Sequence, residues 1–153
     1  MTITYPQPLK FHKKVAQLQA DLVRPKEETD EQGKKRIKDG CIFLSLAKAL
    51  GDNSGRMDWT NQLRMKISPT DICNILVPIR AGETAKLFHK SEAAGTTSTL
   101  EIAPGERAGT FKWFISNSKG ADKKFGNIYL DNKDMFYLFK MFESALPVIN
   151  GWN

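Results

Sequence analysis

The chain has 153 residues, of which 41% are hydrophobic and 26% are charged, and this composition is typical of a globular protein with one core. No apolar run approaches the ~20 residues that cross a bilayer, and the first residues lack the basic-then-apolar order of a secretory signal. The net charge of +6 favours a polyanionic partner, because neutralised phosphates release their counterions. We therefore expect a soluble, intracellular, cytoplasmic protein without a membrane segment.

The first forty residues predict one strand between two polar segments. Residues 1–14 are interpreted as an extended N-terminal arm, since Pro6 and Pro8 disfavour regular structure. Residues 15–22 alternate apolar and polar side chains, which favours a half-buried strand, although helical spacing also fits them. Residues 24–40 mix both charges with turn-forming residues and predict a long, solvated hairpin loop.

Two further strands and a helix complete the first half. Residues 41–50 predict a strand that is apolar on both faces, and residues 58–67 predict one whose end alternates cleanly. In the latter, Leu63, Met65 and Ile67 lie on one side, and Arg64 and Lys66 lie on the other. Ser68 followed by Pro69 predicts a helix start, because serine caps helices and proline fits the first helical position. The buried face of this helix is Ile72, Ile75, Leu76 and Ile79.

The second half repeats this order. Its strands are predicted at residues 83–90, 98–103, 110–117 and 126–130. Residues 118–124 are interpreted as a flexible, basic loop, and Asp131 is expected to cap a helix over residues 132–148. The apolar face of that helix consists of Met135, Leu138, Phe139, Phe142 and Leu146.

The two halves end alike, in a strand that runs directly into a capped helix. The segment RMKISPTDICNIL aligns with NIYLDNKDMFYLF, and each matched pair is 63 positions apart, as Ser68 is from Asp131. Coincidence between two strand–helix junctions is the alternative to duplication. We predict an α+β fold of two ββββα-like repeats, with antiparallel sheets packed with two helices. The repeats are expected at about residues 15–80 and 83–149, within a single domain over residues 15–150.

The sequence gives no sign of catalytic, metal or cofactor chemistry. Cys41 and Cys73 are 32 positions apart and flanked by apolar residues, so both are expected to be buried thiols. His12 and His89 have no recognisable catalytic partner, and no serine or cysteine lies in an elbow motif. The glycine-containing turn at residues 51–55 lacks the ending of a phosphate-binding loop. We expect a protein that is not an enzyme and that has no cofactor and no metal site.

Basic and aromatic residues alternate on several predicted strands. Single-stranded nucleic acids need flat rings for base stacking and cations for the backbone, so this combination is informative. In strand 110–117, Lys112 and Phe114 share one face, whereas Trp113 and Ile115 occupy the other. Either face fits the core. We favour exposure of the Lys112 face, which makes Phe114 a stacking residue and Trp113 a core residue.

The same alternation gives the remaining candidates, although a solvated surface charge is the alternative for each lysine taken alone. The candidate nucleic-acid-binding residues are Arg64, Lys66, Lys86, Phe88, Lys90, Lys112, Phe114, Lys119, Lys123, Lys124 and Tyr129. Of these, Lys119, Lys123 and Lys124 are expected to contact phosphates from the mobile loop. Trp59 shares the core side of its strand, and Trp152 has no place in the core.

The segment FGNIYLDNKDMFYLFKMFESALPVI resembles the C-terminal end of the positive cofactor 4 transcriptional coactivator domain. Both show a glycine, a short apolar strand, an Asp-type cap and a long helix, and the basic–aromatic strand at residues 111–114 also fits. That domain contains one ββββα unit and dimerises. The similar Whirly proteins, with their kinetoplastid guide-RNA-binding relatives, carry the unit twice in one chain. The resemblance covers roughly residues 40–150.

This resemblance implies single-stranded DNA binding on the sheets, largely without sequence preference, in replication, recombination, repair or transcription. It also implies a homo-oligomer, with a dimer favoured. RNA binding or annealing by the same sheet is one alternative, and a protein-interaction adaptor that inhibits a host factor is another. The chain lacks the KGKAAL-type motif of plant Whirly proteins and an acidic, serine-rich tail. Such a compact form suits a bacterial protein or one acting in a phage-infected host cell.

Overall fold

Alternating apolar and polar residues build two four-stranded antiparallel sheets in the computed structural model, which describes residues 7–152. The first sheet has the order β1-β2-β5-β6 and consists of β1 (Leu9–His12), β2 (Ala16–Val23), β5 (Cys41–Lys48) and β6 (Leu63–Ile67). A separate two-stranded ribbon consists of β3 (Lys26–Thr29) and β4 (Lys35–Lys38).

The second half forms a sheet of the same kind. It has the order β10-β9-β8-β7 and consists of β7 (Ala85–Ser91), β8 (Thr96–Pro104), β9 (Thr110–Lys119) and β10 (Asp122–Asp131). Each sheet is followed by one helix, α1 (Pro69–Arg80) after the first and α2 (Asn132–Asn150) after the second. The predicted α+β fold with two ββββα units is therefore confirmed.

The N-terminal residues differ from the predicted arm. Residues 9–12 form the edge strand β1, which pairs with β2, and Phe11 is buried in the core. The two prolines that suggested an arm precede this strand and do not interrupt it. Residues 1–6 of the predicted arm lie outside the described residues.

The polar stretch 24–40 also contains more structure than the predicted loop. Its strands β3 and β4 pair along four residues each, around a turn in which Gly33 adopts a φ of 78°. Cross-strand ion pairs join Lys35 to Glu27 at 3.5 Å and Lys38 to Glu28 at 3.9 Å. The ribbon therefore forms through backbone pairing and charge complementarity, which leave no hydrophobic period in the sequence.

The segment before β6 corrects a third prediction, that of a strand beginning at residue 58. Residues 59–61 form a 3-10 turn and not a strand, because the Asp58 side chain accepts a hydrogen bond from the Asn61 N–H at 3.3 Å. Trp59 is consequently half-buried and is not part of the core.

Both helices begin with the same capping box, which confirms the internal repeat in atomic detail. The Ser68 hydroxyl accepts the Asp71 N–H at 3.2 Å, and the Asp71 carboxylate accepts the Ser68 N–H at 2.9 Å. Asp131 and Asp134 make the equivalent bonds at 2.8 and 3.1 Å. Each box satisfies two helix N–H groups that would otherwise lack a partner.

These caps give a prediction for stability. Ser68→Ala is expected to lower the free energy of unfolding, measured by urea denaturation, by about 1 kcal/mol, because it removes a helix cap.

The cap of the second helix gives a pH-dependent prediction. The hydrogen bond from the Asp134 N–H lowers the pKa of Asp131 in the folded protein. The stabilisation by the ionised Asp131 is therefore present above the pKa that this residue has in the unfolded chain, and it fades as the pH falls below about 4. Asp131→Asn should therefore weaken the acid dependence of stability, measured by urea denaturation between pH 3 and 7. An unchanged acid dependence would contradict this role of Asp131.

The two repeats share one hydrophobic core, and the helix of each repeat contacts the other repeat. Helix α1 packs on β7 of the second repeat, where His89 Nε2 lies 3.1 Å from the Asp71 carboxylate. Reciprocally, Lys13 of the first repeat forms an ion pair at 2.6 Å with Asp134 of α2. The acidic residue of each capping box thus contacts a basic side chain of the other repeat.

The two cysteines differ in environment. Cys41 is buried, and this burial raises the pKa of its thiol. Cys73 lies on the exposed side of α1, so the prediction that it is buried is wrong. Successive residues of a helix point in different directions, so Ile72 is buried while the adjacent Cys73 faces solvent. Within residues 7–152, no helix is long and apolar enough to cross a membrane.

Candidate nucleic-acid interface

The outer side of the second sheet carries most of the predicted residues, and we call it the second-sheet face. Strand alternation turns Trp113 and Ile115 into the core and leaves Lys112 and Phe114 on the outer side. The alternative with an exposed Trp113 is therefore excluded. The second-sheet face contains Lys86, Phe88, Lys90, Lys112, Phe114, Lys123, Phe125 and Tyr129.

Aromatic rings are unusually exposed on this face. Phe88 is 67% exposed, Phe125 54% and Tyr129 48%. The ring centroids of Phe114 and Phe125 lie 6.1 Å apart with the planes tilted by 31°. Exposed rings grouped on a sheet give flat apolar surfaces on which nucleobases stack.

Phe125 is a residue that the sequence analysis missed. It faces the same side of β10 as Tyr129, four residues later. Because residues 118–124 are predicted as a flexible loop, the predicted strand 126–130 begins one residue too late to include this ring. In the structure β9 and β10 continue through this region and turn at Gly120, which adopts a φ of 58°. Extending the period-two pattern backwards from Tyr129 would have found it.

Cations surround these rings. Lys112 lies directly across from Tyr129 in the β9–β10 register, and the Lys48 ammonium lies 5.8 Å from the Phe125 ring centre. Lys86 is 3.9 Å from the Glu101 carboxylate on the next strand. Within residues 7–152, Lys112 has no carboxylate within ion-pair distance. The charge of Lys112 is therefore available to a phosphate.

The remaining predicted residues lie where the edge strand β6 of the first sheet meets β8 and β9 of the second. Asn117 joins the sheets there, since its amide accepts the Arg64 N–H and donates to the Arg64 carbonyl, both at 3.0 Å. The same amide donates to the Ser98 hydroxyl at 3.0 Å. This side chain substitutes for a neighbouring strand and satisfies the free edge of β6 at Arg64.

Two adjoining cavities flank this contact, and together we call them the junction groove. One, of about 410 Å³, is lined by Arg64, Lys119 and Lys124 together with Asp122 and neutral polar side chains. The other, of about 240 Å³, is lined by Arg64, Lys66 and Lys90. Lys90 therefore belongs to both the second-sheet face and the junction groove.

The predicted lysines of the 118–124 loop are separated by this arrangement. Lys119 and Lys124 point into the junction groove, whereas Lys123 has the opposite strand parity and lies on the second-sheet face. All three belong to paired strands, so the prediction of a mobile loop is wrong. The Lys124 ammonium also donates a hydrogen bond to the side-chain amide oxygen of Asn61, at 3.2 Å.

Within residues 7–152, the two histidines contact polar side chains that are not nucleophiles in hydrolytic enzymes of the triad type. His12 Nδ1 is hydrogen bonded to Gln17 at 3.0 Å, and His89 faces Asp71. Among residues 7–152, no group of three His, Cys, Asp or Glu side chains has a metal-binding arrangement. The chemistry that this interface does offer is ionic contact and ring stacking.

Three solved structures of plant proteins have the same fold. WHY1 from Arabidopsis thaliana matches with a TM-score of 0.83 and 21% identity, over 99% of this chain and 89% of that one. WHY3 from Arabidopsis thaliana matches with a TM-score of 0.81 and 20% identity, over 99% and 92%. The plant transcriptional regulator PBF-2 matches with a TM-score of 0.78 and 19% identity, over 99% and 86%. At these identities the likeness concerns the fold.

A sequence comparison supplies the family. No curated protein sequence matches the chain. The family described as "Whirly transcription factor" matches residues 11–124, which include nearly all of the first sheet, α1 and most of the second sheet. The resemblance predicted from the C-terminal junction is confirmed, and the chain belongs to the Whirly family.

Proposed function

We propose that the protein binds single-stranded DNA, largely without sequence preference, through the second-sheet face and the junction groove. The observation that carries this proposal is the group of exposed rings interleaved with lysines on one sheet. Stacking on aromatic side chains contributes roughly 1–3 kcal/mol per base and tolerates every base, because each base has a π face. Membership of a family of transcription factors supports nucleic-acid binding as the general function.

The geometry favours a single strand over a duplex. Phe88, Phe114 and Phe125 occupy the surface of a sheet, and their rings are useful only to bases that are free of a pairing partner. The lysines around them neutralise phosphates of the same strand. A duplex would meet these rings with its sugar–phosphate backbone.

Salt dependence tests this proposal. The logarithm of the affinity should fall linearly with the logarithm of the salt concentration, and Lys112→Ala should reduce the slope by about 0.7, the value for one phosphate contact on a single strand. Fluorescence anisotropy with labelled poly-dT, at salt concentrations from low to physiological, measures both. Lys133→Ala, which removes an exposed lysine from α2, is the matched control.

The same titration separates the alternatives. Equal-length single-stranded RNA and duplex DNA are titrated in parallel. Tighter binding of RNA than of single-stranded DNA would mean that RNA is the ligand. The proposal is rejected if the affinity does not change with salt concentration, or if single-stranded and duplex DNA bind with equal affinity. Equal slopes for Lys112→Ala and the wild-type chain would remove Lys112 from the site.

We extend the proposal to the cellular role. A sequence-independent binder of this kind would act inside the cell on strands exposed during replication, recombination or repair, or in transcription, by binding without chemical turnover. A homo-oligomer, with a dimer favoured, is part of the proposal. Native mass spectrometry of the full chain measures it, and a purely monomeric spectrum at micromolar concentration would reject it. The bacterial or phage-infected host stays a prediction.

A further inference from the structure

A carboxylate lies among the rings and lysines of the second-sheet face. In the register of β8 and β9, Glu101 lies directly across from Phe114. Its side chain is on the outer side of the sheet, because its neighbours Leu100 and Ile102 are buried in the core. Since a carboxylate repels phosphate, the part of a bound strand that faces Glu101 is a base and not the backbone.

A hollow of about 250 Å³ opens beside this carboxylate. It is lined by Glu101, Ala103, Lys112 and Phe114. Ala103 lies directly across from Lys112 and on the same side of β8 as Glu101. Its methyl group leaves open the space that a longer side chain would fill. A base stacked on Phe114 would therefore have its edge at the Glu101 carboxylate, with the Lys112 ammonium near its phosphate.

The Glu101 carboxylate is available to a ligand. Lys86 lies directly across from it on β7, and its ammonium is 3.9 Å from the carboxylate, which is longer than a hydrogen bond. The lysine thus offsets the charge without occupying the oxygen atoms. On the other side of Phe114, the side-chain oxygen of Asn127 is enclosed by the protein. Of these two acceptors, Glu101 is the one that a base can reach.

The four bases differ in what they offer to such a group. A carboxylate accepts hydrogen bonds at two oxygens and donates none. The Watson–Crick edge of guanine presents two adjacent donors, N1–H and the N2 amino group, which match these oxygens. Adenine and cytosine present an amino group beside an acceptor nitrogen, and thymine presents one N3–H between two carbonyl oxygens. Since these edges are free in an unpaired strand, Glu101 favours guanine most and thymine least.

We propose that Glu101 and the Phe114 ring form a subsite for one unpaired guanine, stacked on the ring and hydrogen bonded through its Watson–Crick edge to the carboxylate. This inference rests on the proposed function and adds a base preference at one position of the bound strand. The other positions keep no preference, so binding as a whole remains largely independent of sequence.

The test compares dT oligomers of about 10 nucleotides that carry one central dG, dA or deoxyinosine with the all-dT oligomer, by competition in fluorescence anisotropy. One guanine per strand avoids guanine quadruplexes. The dG oligomer should bind at least about fivefold more tightly than the dA oligomer, which stacks an equally large ring. This is the lower end for a bidentate base contact, because the Glu101 side chain is 42% exposed. Deoxyinosine, which keeps N1–H and lacks the N2 amino group, should fall between them.

Glu101→Gln keeps the shape of the side chain and replaces one acceptor by a donor. It should bring the dG and dA oligomers within about twofold of each other and leave all-dT binding at least as tight as in the wild-type chain. Glu92→Gln, in the exposed turn between β7 and β8, is the matched control and should keep the preference for dG.

Three results would overturn the inference. The wild-type chain binds the dG and dA oligomers with equal affinity, Glu101→Gln keeps the preference for dG, or Glu92→Gln loses it to the same extent. Failure of the proposed function gives a different result, in which the wild-type chain binds none of the oligomers. Circular dichroism of each variant confirms that the fold is retained.

Discussion

Replacing Trp113 with alanine is expected to lower the free energy of unfolding by about 3–5 kcal/mol, the range for removing a large buried ring. Trp113 is fully buried and is the largest such side chain in the described chain. Its indole N–H donates a hydrogen bond to the Met135 sulfur at 3.1 Å, which ties β9 to α2. The substitution would leave a cavity between the second sheet and the helix that covers it.

Urea denaturation followed by far-ultraviolet circular dichroism measures this loss, because the signal does not depend on the tryptophan removed. Trp152→Ala is the matched control, since Trp152 is 65% exposed and its removal should change stability by no more than about 0.5 kcal/mol. Trp113→Phe should fall between the two, because it keeps part of the ring volume. A loss below about 1 kcal/mol for Trp113→Ala would mean that the core repacks around the missing indole.

The parts of the fold that the sequence predicted are those set by local physics. Residues 63–68 and 126–131 alternate cleanly and lead into a capping side chain, so strand, helix start and buried face all follow from neighbouring residues. The alternation in β9 likewise fixed the orientation of Phe114 once Trp113 was placed in the core. The family match begins at residue 11 and so extends the resemblance from about residue 40 to the first strands of the first repeat.

The parts that the sequence did not predict depend on contacts between distant residues. Asn117 and Arg64 are 53 positions apart, and nothing in either neighbourhood indicates that an amide side chain closes the edge of β6. Strand β1 has only four residues and becomes recognisable through its pairing with β2. The groove that gathers Arg64, Lys119 and Lys124 is likewise a product of how two sheets meet. Strand alternation predicts on which face of its own sheet a residue lies, but it does not predict which residues of the other sheet lie next to it.

Phe114 and Phe125 are expected to act together on one base. We expect Phe114→Ala and Phe125→Ala each to weaken single-stranded DNA binding by roughly 1–3 kcal/mol. Because the two ring centroids are 6.1 Å apart, we expect the double variant to lose less than the sum of the two single losses. A double-mutant cycle, measured by anisotropy with poly-dT at fixed salt, gives the coupling energy.

Two further variants make the cycle interpretable. Phe136→Ala removes an exposed ring that lies on α2, so it should leave the affinity unchanged. Tyr129→Ala removes a ring of the same face that lies beside Lys112, and we expect its loss to add to that of Phe114→Ala. Coupling between Phe114 and Phe125 without coupling to Tyr129 would assign one base to the phenylalanine pair and another to the tyrosine. Strict additivity of all three would instead give each ring its own base, and the absence of any loss would remove the second-sheet face from the binding site.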